Sequence, residues 1–299
     1  MGAIYFMRRL LIIGCGDVVR RVLPQLVRHW RVYALVRERD PVLRALGVIQ
    51  MSGDLDRATS LRRLVGLAHA VLHSAPPGDG DEEDSRTRRL IAILRRGSLP
   101  RRLVYISTSG VYGDCAGDRV LETRRLAPRT ARARRRASAE TLLRRFGSES
   151  GCAVSILRAP GIYAADRLPL ERLRRGLPLL LPQEDIHTNH IHAEDLGRAC
   201  LAALERGGAG RAYNASDDSD IAMGDWFGKL AAAFALPQPP RVTRAEAERL
   251  LPPVQLSFMR ESRRLDNARL KRELRLRLLY PTVDAGIAAA LKGKSACSG

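Results

Sequence analysis

Leu10-Leu11-Ile12-Ile13-Gly14-Cys15-Gly16-Asp17-Val18-Val19 is the stretch on which the reading of this chain turns. Four consecutive apolar residues form a short strand suited to burial on both faces. Two glycines then supply a tight turn, and Val18, Val19, Val22, Leu23 and Leu26 recur behind it at helical spacing. The order is strand, turn, helix.

That order gives Gly14-x-Gly16-x-x-Val19 its meaning. It matches the dinucleotide fingerprint G-x-G-x-x-G with the last glycine replaced. Gly14 permits the turn, and Gly16 lets backbone approach a pyrophosphate resting on the helix N-terminus at Asp17 and Val18. Losing the third glycine touches helix packing more than phosphate contact.

Outward from this turn, strands are expected at 31–37, 48–51, 70–73, 102–106 and 153–158, with helices at 41–46, 61–67, 86–96 and 130–146 between them. Alternation at that pace predicts an α/β protein with a Rossmann-like, doubly wound parallel sheet. The acidic segment from Gly78 to Asp84 is expected to be a surface loop that caps the following helix. Beyond Pro160 the helices shorten and Pro and Gly multiply. The expected division is an NAD(P)-binding domain at 8–158, rejoined by 188–216 with Thr188 to His192 back in the sheet. A smaller C-terminal substrate lobe takes 159–187 and 217–292, and 1–7 and 293–299 are flexible tails.

At the end of the second strand a carboxylate suits the ribose hydroxyls of NAD, whereas arginine suits the 2′-phosphate of NADP. Here stands Arg37, followed by Glu38 and Arg39, which favours NADP over NAD. Asp54 and Leu55 after the third strand, and Ser74, Ala75 and Pro76 after the fourth, fall along the adenine and central parts of such a cofactor. Ser107 and Pro160, after the fifth and sixth strands, complete the expected cofactor-binding set.

Bulk properties set limits. The chain has 299 residues, 45% of them hydrophobic, enough for one large α/β domain with an appended lobe. No apolar run approaches the ~18 residues of a membrane span, so a soluble cytoplasmic protein is expected. Whether translation starts at Met1 or Met7 stays open. Five scattered cysteines without a C-x-x-C pair argue for reduced thiols. The net charge of +19 rests on 51 basic residues, of which Lys229, Lys271, Lys292 and Lys294 are lysine and the other 47 arginine. Arginine spread through nearly every helix, with only 5% aromatics, makes nucleic acid an unlikely partner.

Several segments together resemble the extended short-chain dehydrogenase/reductase superfamily, the NAD-dependent epimerases and dehydratases, and in particular its atypical members. They are the glycine turn, ISTSGVYGD at 106–114, ILRAPGIYA at 156–164, HIHAEDL at 190–196, YNASDD at 213–218 and LDNARLKRELRLRLLYPT at 265–282. The resemblance covers about residues 8–290. It implies that Thr108 helps hold the reacting oxygen, and that a tyrosine and a lysine four residues apart on the next helix move the proton.

In this chain that helix reads Arg132-Ala133-Arg134-Arg135-Arg136. Registering Glu140 on the family's acidic residue puts Arg132 in the tyrosine's place and Arg136 in the lysine's. No tyrosine lies between Tyr112 and Tyr163, and no lysine precedes Lys229. Guanidinium stays protonated with a pKa above ~12, so neither arginine can shuttle a proton. Thr108, Arg132 and Arg136 are thus motif positions whose chemistry must differ from the family's. Tyr112, Tyr163, His73 and the group His187, His190 and His192 are the available substitutes, and no metal site is expected among them.

Two functions remain open. One is variant redox chemistry on a nucleotide sugar or other small anionic substrate; the other is a non-catalytic NADP-sensing or scaffold role. The sequence leaves the oligomeric state open, a homodimer included.

Overall fold

The structure, a computed structural model, describes residues 7–80 and 82–297. Its centre is a parallel sheet of β1 (Arg9–Ile13), β2 (Arg31–Val36), β3 (Ile49–Ser52), β4 (Ala70–His73), β5 (Arg102–Thr108), β6 (Ala153–Ala159) and β7 (Arg211–Asn214). The spatial order is β7-β6-β5-β4-β1-β2-β3, so the winding reverses between β1 and β4.

Alternate residues of β1 feed the two faces. Leu10 and Ile12 pack with Val22, Leu23 and Leu26 of α1 (Asp17–His29) and with Leu196 and Cys200 of a later helix. Leu11 and Ile13 join Leu90 and Ile91 of α2 (Ser85–Leu94) and Leu143 and Phe146 of α3 (Ala131–Ser150). Asp84 caps α2, accepting from the backbone N–H groups of Arg86 and Thr87, as expected of the acidic loop.

The later helix, α4 (Ala193–Arg206), lies against α1. A Cβ on Gly197 would sit 2.6 Å from Val22 Cγ1 and 3.0 Å from the Val18 carbonyl. Gly197 thus lets α4 approach α1 closely, while Val19, in the place of the third fingerprint glycine, is buried.

Three expectations change. His190–His192 does not rejoin the main sheet: it pairs in parallel with Gly161–Tyr163, and His187–Thr188 pairs with Ile221–Ala222. The seventh central strand is β7 instead, its Ala212 and Tyr213 buried beside β6. Helix α6 (Ala268–Leu274), placed by sequence in the outer lobe, packs on α4 and β7, because Leu270 and Leu274 form an i,i+4 apolar stripe that enters the sheet-side core.

The outer lobe has its own core around Leu173, Leu180, Trp226, Leu230 and Ile287, with Trp226 and Leu230 on α5 (Met223–Ala233) and Ile287 on α7 (Val283–Cys297). Helix α7 continues through the start of the segment expected to be a tail. Residues 1–6, 298 and 299 lie outside the described residues. Among the described residues no helix is long and apolar enough to cross a membrane.

Candidate cofactor cleft and adjoining cavity

A cleft of about 980 Å³ opens at the C-terminal ends of β1, β2, β4 and β5, where the strand order reverses. Open α/β sheets place their ligands at such points. Gly14 and Gly16 form one edge, with Asp17 and Val18 in the first turn of α1. Gly14 has φ +88°, and a Cβ there would collide with the backbone of Ala75. Ser74 and Ala75 both donate their N–H to the Ile13 carbonyl, at 2.8 and 2.9 Å, and the Ser74 hydroxyl bonds to Gly14 O. The turn is therefore pinned to the end of β4. Gly16 differs: a Cβ there would meet nothing within 4 Å, so its backbone faces open space.

Asp17 brings negative charge to the place of an expected pyrophosphate, but Arg21 and Arg167 hold it at 2.8 Å each, and its pKa falls against the opposing effect of burial. At the far end, Arg37, Glu38 and Arg39 line the cleft with Asp54 and Leu55. Nearby cations are already engaged: Arg20 with Asp40, and Arg86 with Asp56 at 2.5 Å. Arg37 and Arg39 are exposed and make no ion pair among the described residues.

The other end is built by β5 and α3. Thr108 ends β5 and accepts from Gly110 N at 3.2 Å. Ser107 and Pro160 also line the cleft, although the Ser107 hydroxyl is committed to Glu140 at 2.6 Å. Arg136 is buried and hydrogen-bonds the Ile106 carbonyl at 2.7 Å and the Tyr105 hydroxyl at 3.0 Å. No carboxylate pairs with it among the described residues. Arg132, one helical turn earlier, is open to the cleft, and its guanidinium makes no hydrogen bond or ion pair among the described residues. Partial burial of its guanidinium, and then the charge of Arg136, lower its pKa.

A second cavity of about 870 Å³ adjoins this end and reaches into the outer lobe. Thr108, Arg132, Pro160, Ile162 and Arg167 belong to both walls. The expected cofactor-binding residues, together with Thr108, Arg132 and Arg136, thus all line the cleft.

The substitutes for a proton donor fare differently. Tyr112 is buried away from both cavities, bonded to Asn214 at 2.7 Å and Arg158 at 2.8 Å, and burial pushes its phenol up to about 12. Tyr163 packs between His192 and Trp226. His73 is fully buried, bonded through Nε2 to Thr87 at 2.9 Å, and desolvation pushes it down to about 4. The three other histidines have three separate tasks. His187 pairs with Asp220, His192 accepts from Glu194 N, and His190 lies against Trp226 on the second cavity's wall.

Some site features had no sequence signal strong enough to use. Arg172 lies over Phe227 on the second cavity and bonds to Gln255 and the Pro178 carbonyl. Glu261 and Arg263, paired at 2.8 Å, reach the same wall from a loop. Beneath the cleft, Glu140 and Arg158 form a buried ion pair; the signal for it was a charged residue inside the apolar run of β6.

The model of the NAD-dependent epimerase/dehydratase family matches residues 15–216. No curated protein sequence matches this chain. Among solved structures, a conserved protein of unknown function from Silicibacter pomeroyi is 29% identical, with TM-score 0.77 over 96% of this chain and 99% of that one. A putative NAD-dependent epimerase/dehydratase from Methylobacillus flagellatus is 22% identical, with TM-score 0.72 over 97% and 100%. UDP-glucose 4-epimerase from Thermotoga maritima, solved with UDP-glucose, is 17% identical with TM-score 0.76 over 97% and 100%, and so shares the fold.

Proposed function

The chain belongs to the NAD-dependent epimerase/dehydratase family, and on that premise we propose that the 980 Å³ cleft binds a nicotinamide dinucleotide and the adjoining cavity a small anionic substrate. The supporting observation is adjacency: the cleft runs from Arg37 past Gly14 and Gly16 to Thr108 and Arg132, and those last two residues also wall the cavity that reaches into the outer lobe. Gly14, Gly16, Asp17 and Val18 would border the pyrophosphate, and Asp54, Leu55, Ser74, Ala75 and Pro76 the adenosine and central portions. Ser107, Thr108 and Pro160 would border the nicotinamide end.

The bound cofactor would supply or accept hydride. This chain's residues do the rest. Thr108 offers a hydroxyl where the reacting oxygen would lie. Arg136, held by Tyr105 and the Ile106 carbonyl, carries a fixed positive charge at the end of the cleft that would hold the nicotinamide half. Arg132 stabilises negative charge on the substrate without moving a proton. NADP is the preferred cofactor, because Arg37 and Arg39 are unpaired guanidiniums at the adenosine end.

A second reading, binding without turnover, is favoured by one observation: among the described residues no tyrosine lines either cavity. Calorimetric titration with NADPH and NADH tests the proposal. Saturable binding, weakened at least tenfold for NADPH but not for NADH by Arg37→Ala, is the expected result; no binding of either nucleotide overturns it.

A further inference from the structure

The two ends of the second cavity differ in chemistry. Away from the cleft, Met223, Trp226 and Phe227 of α5 line it together with Phe258 and Met259. Phe258 keeps 60% of its surface exposed, an apolar ring left uncovered on that side among the described residues. At the end shared with the cleft stand Thr108 and Arg132.

Four guanidiniums reach this cavity, and three are engaged. Arg167 pairs with Asp17, Arg172 with the Pro178 carbonyl and Gln255, and Arg263 with Glu261. Arg132 has no partner among the described residues. It lies in the first turn of α3, where the helix field is positive and adds to the charge of Arg136. An anion placed there meets an unsatisfied fork in partly desolvated surroundings.

The rest of the wall limits how much negative charge can follow. Glu261 is nine-tenths buried, and its Oε1 has no hydrogen-bond partner, so a second anionic group near it would be repelled. A diphosphate brings two or more negative charges, and two of the remaining three arginines already have theirs balanced by a carboxylate, Arg167 by Asp17 and Arg263 by Glu261.

Resting on the reading of the neighbouring cleft as the cofactor site, we infer that this cavity takes a singly charged carboxylic acid with an aromatic or aliphatic body. The carboxylate sits on Arg132 beside Thr108, and the body lies against Trp226, Phe227 and Phe258. The unpaired Arg132 specifies the head group, and the aromatic wall specifies the body.

Calorimetry on the full chain with 4-phenylbutyrate, its neutral amide and UDP-glucose, each with and without saturating NADPH, tests this. Phenylbutyrate should bind saturably and the amide at least tenfold more weakly. Arg132→Gln should remove at least tenfold of the acid's affinity and leave the amide's unchanged, with Arg132→Lys recovering part of it. Phe258→Ala, at an exposed position that leaves the fold intact, should weaken acid and amide alike. Equal binding of acid and amide, indifference to Arg132→Gln, no binding of the acid, or tighter binding of UDP-glucose than of the acid would each overturn the inference. NADPH binding without acid binding sinks this inference alone. Acid binding without any nucleotide binding sinks the cofactor reading and leaves the carboxylate site standing.

Discussion

Arg158 and Glu140 form an ion pair at 2.7 Å with side-chain exposures of 3% and 1%, directly beneath the candidate cleft. Arg158 also donates to the Tyr112 hydroxyl and the Glu122 carbonyl, while Glu140 accepts from Ser107. The pair thus ties β6, α3 and β5 together under Thr108. Removing one member leaves the other charged and buried, at a cost of about 3–5 kcal/mol. Glu140→Gln should therefore lower the melting temperature by roughly 5–10 °C. Glu140→Gln combined with Arg158→Met should recover part of that loss. If scanning calorimetry finds the double variant less stable than the single one, the pair is a net stabiliser in its own right.

The two fingerprint glycines should separate stability from binding. Gly14→Ala forces a side chain onto a φ of +88° and into Ala75, so it should destabilise the fold by at least about 1–3 kcal/mol. Gly16 has φ −84° and room for a methyl group, so Gly16→Ala should melt within about 2 °C of the parent. It should nevertheless bind NADPH at least tenfold more weakly, since the methyl occupies the space in which a pyrophosphate would approach the backbone. A Gly16→Ala protein with unchanged NADPH affinity would count against the placement of the cofactor.

How much of this was legible follows from the range of the interactions involved. The run from Leu10 to Val19 is a local signal, read from neighbours in sequence, and β1 to β6 with the cleft edge followed from it. Strand β7 carries only two buried apolar side chains, Ala212 and Tyr213, next to a polar motif, too little pattern to separate it from the nearby HIH segment. That segment, apolar by context, is enclosed by Tyr163 and Trp226 from the other lobe. The second cavity was the least legible part. Its wall is assembled from α5 and from loops far apart in the chain, and an arginine such as Arg172 looks the same in sequence whether it faces water or Phe227.

Asp217 sets a pH dependence. It is buried, its Oδ2 has no hydrogen-bond partner, and desolvation pushes its carboxyl up to about 7 from 3.8. A carboxyl with a raised folded pKa holds its proton more tightly in the fold than in the unfolded chain. It imposes no penalty below about pH 4, and a growing one as pH climbs to 7, on the order of 4 kcal/mol when complete. Asp217→Asn should therefore match the parent near pH 4 and exceed its stability above pH 7. Chemical denaturation at pH 5, 7 and 8.5 reads this directly; equal stabilities at pH 8.5 would mean that the carboxylate finds a partner or water when ionised.

The adenosine end offers the most direct test of cofactor choice. Arg20 and Arg86 are held by Asp40 and Asp56, and both partner carboxylates have lowered pKa values from these contacts. Arg37 acts on Asp56 only through its charge, and neither Arg37 nor Arg39 makes an ion pair among the described residues, which leaves their hydrogen-bond donors available to an added phosphate. Both are exposed, so their attraction is screened over a Debye length of about 10 Å at 0.1 M salt and about 3 Å at 1 M. NADPH affinity should fall several-fold between 0.05 and 0.5 M salt (both values approximate) while NADH affinity changes little. In the Arg37→Ser, Arg39→Ser double variant the two nucleotides should bind alike and with the same shallow salt dependence. Equal salt dependence for NADPH and NADH in the parent protein would instead assign that attraction to the pyrophosphate, which both nucleotides carry, and would remove the basis for preferring NADP.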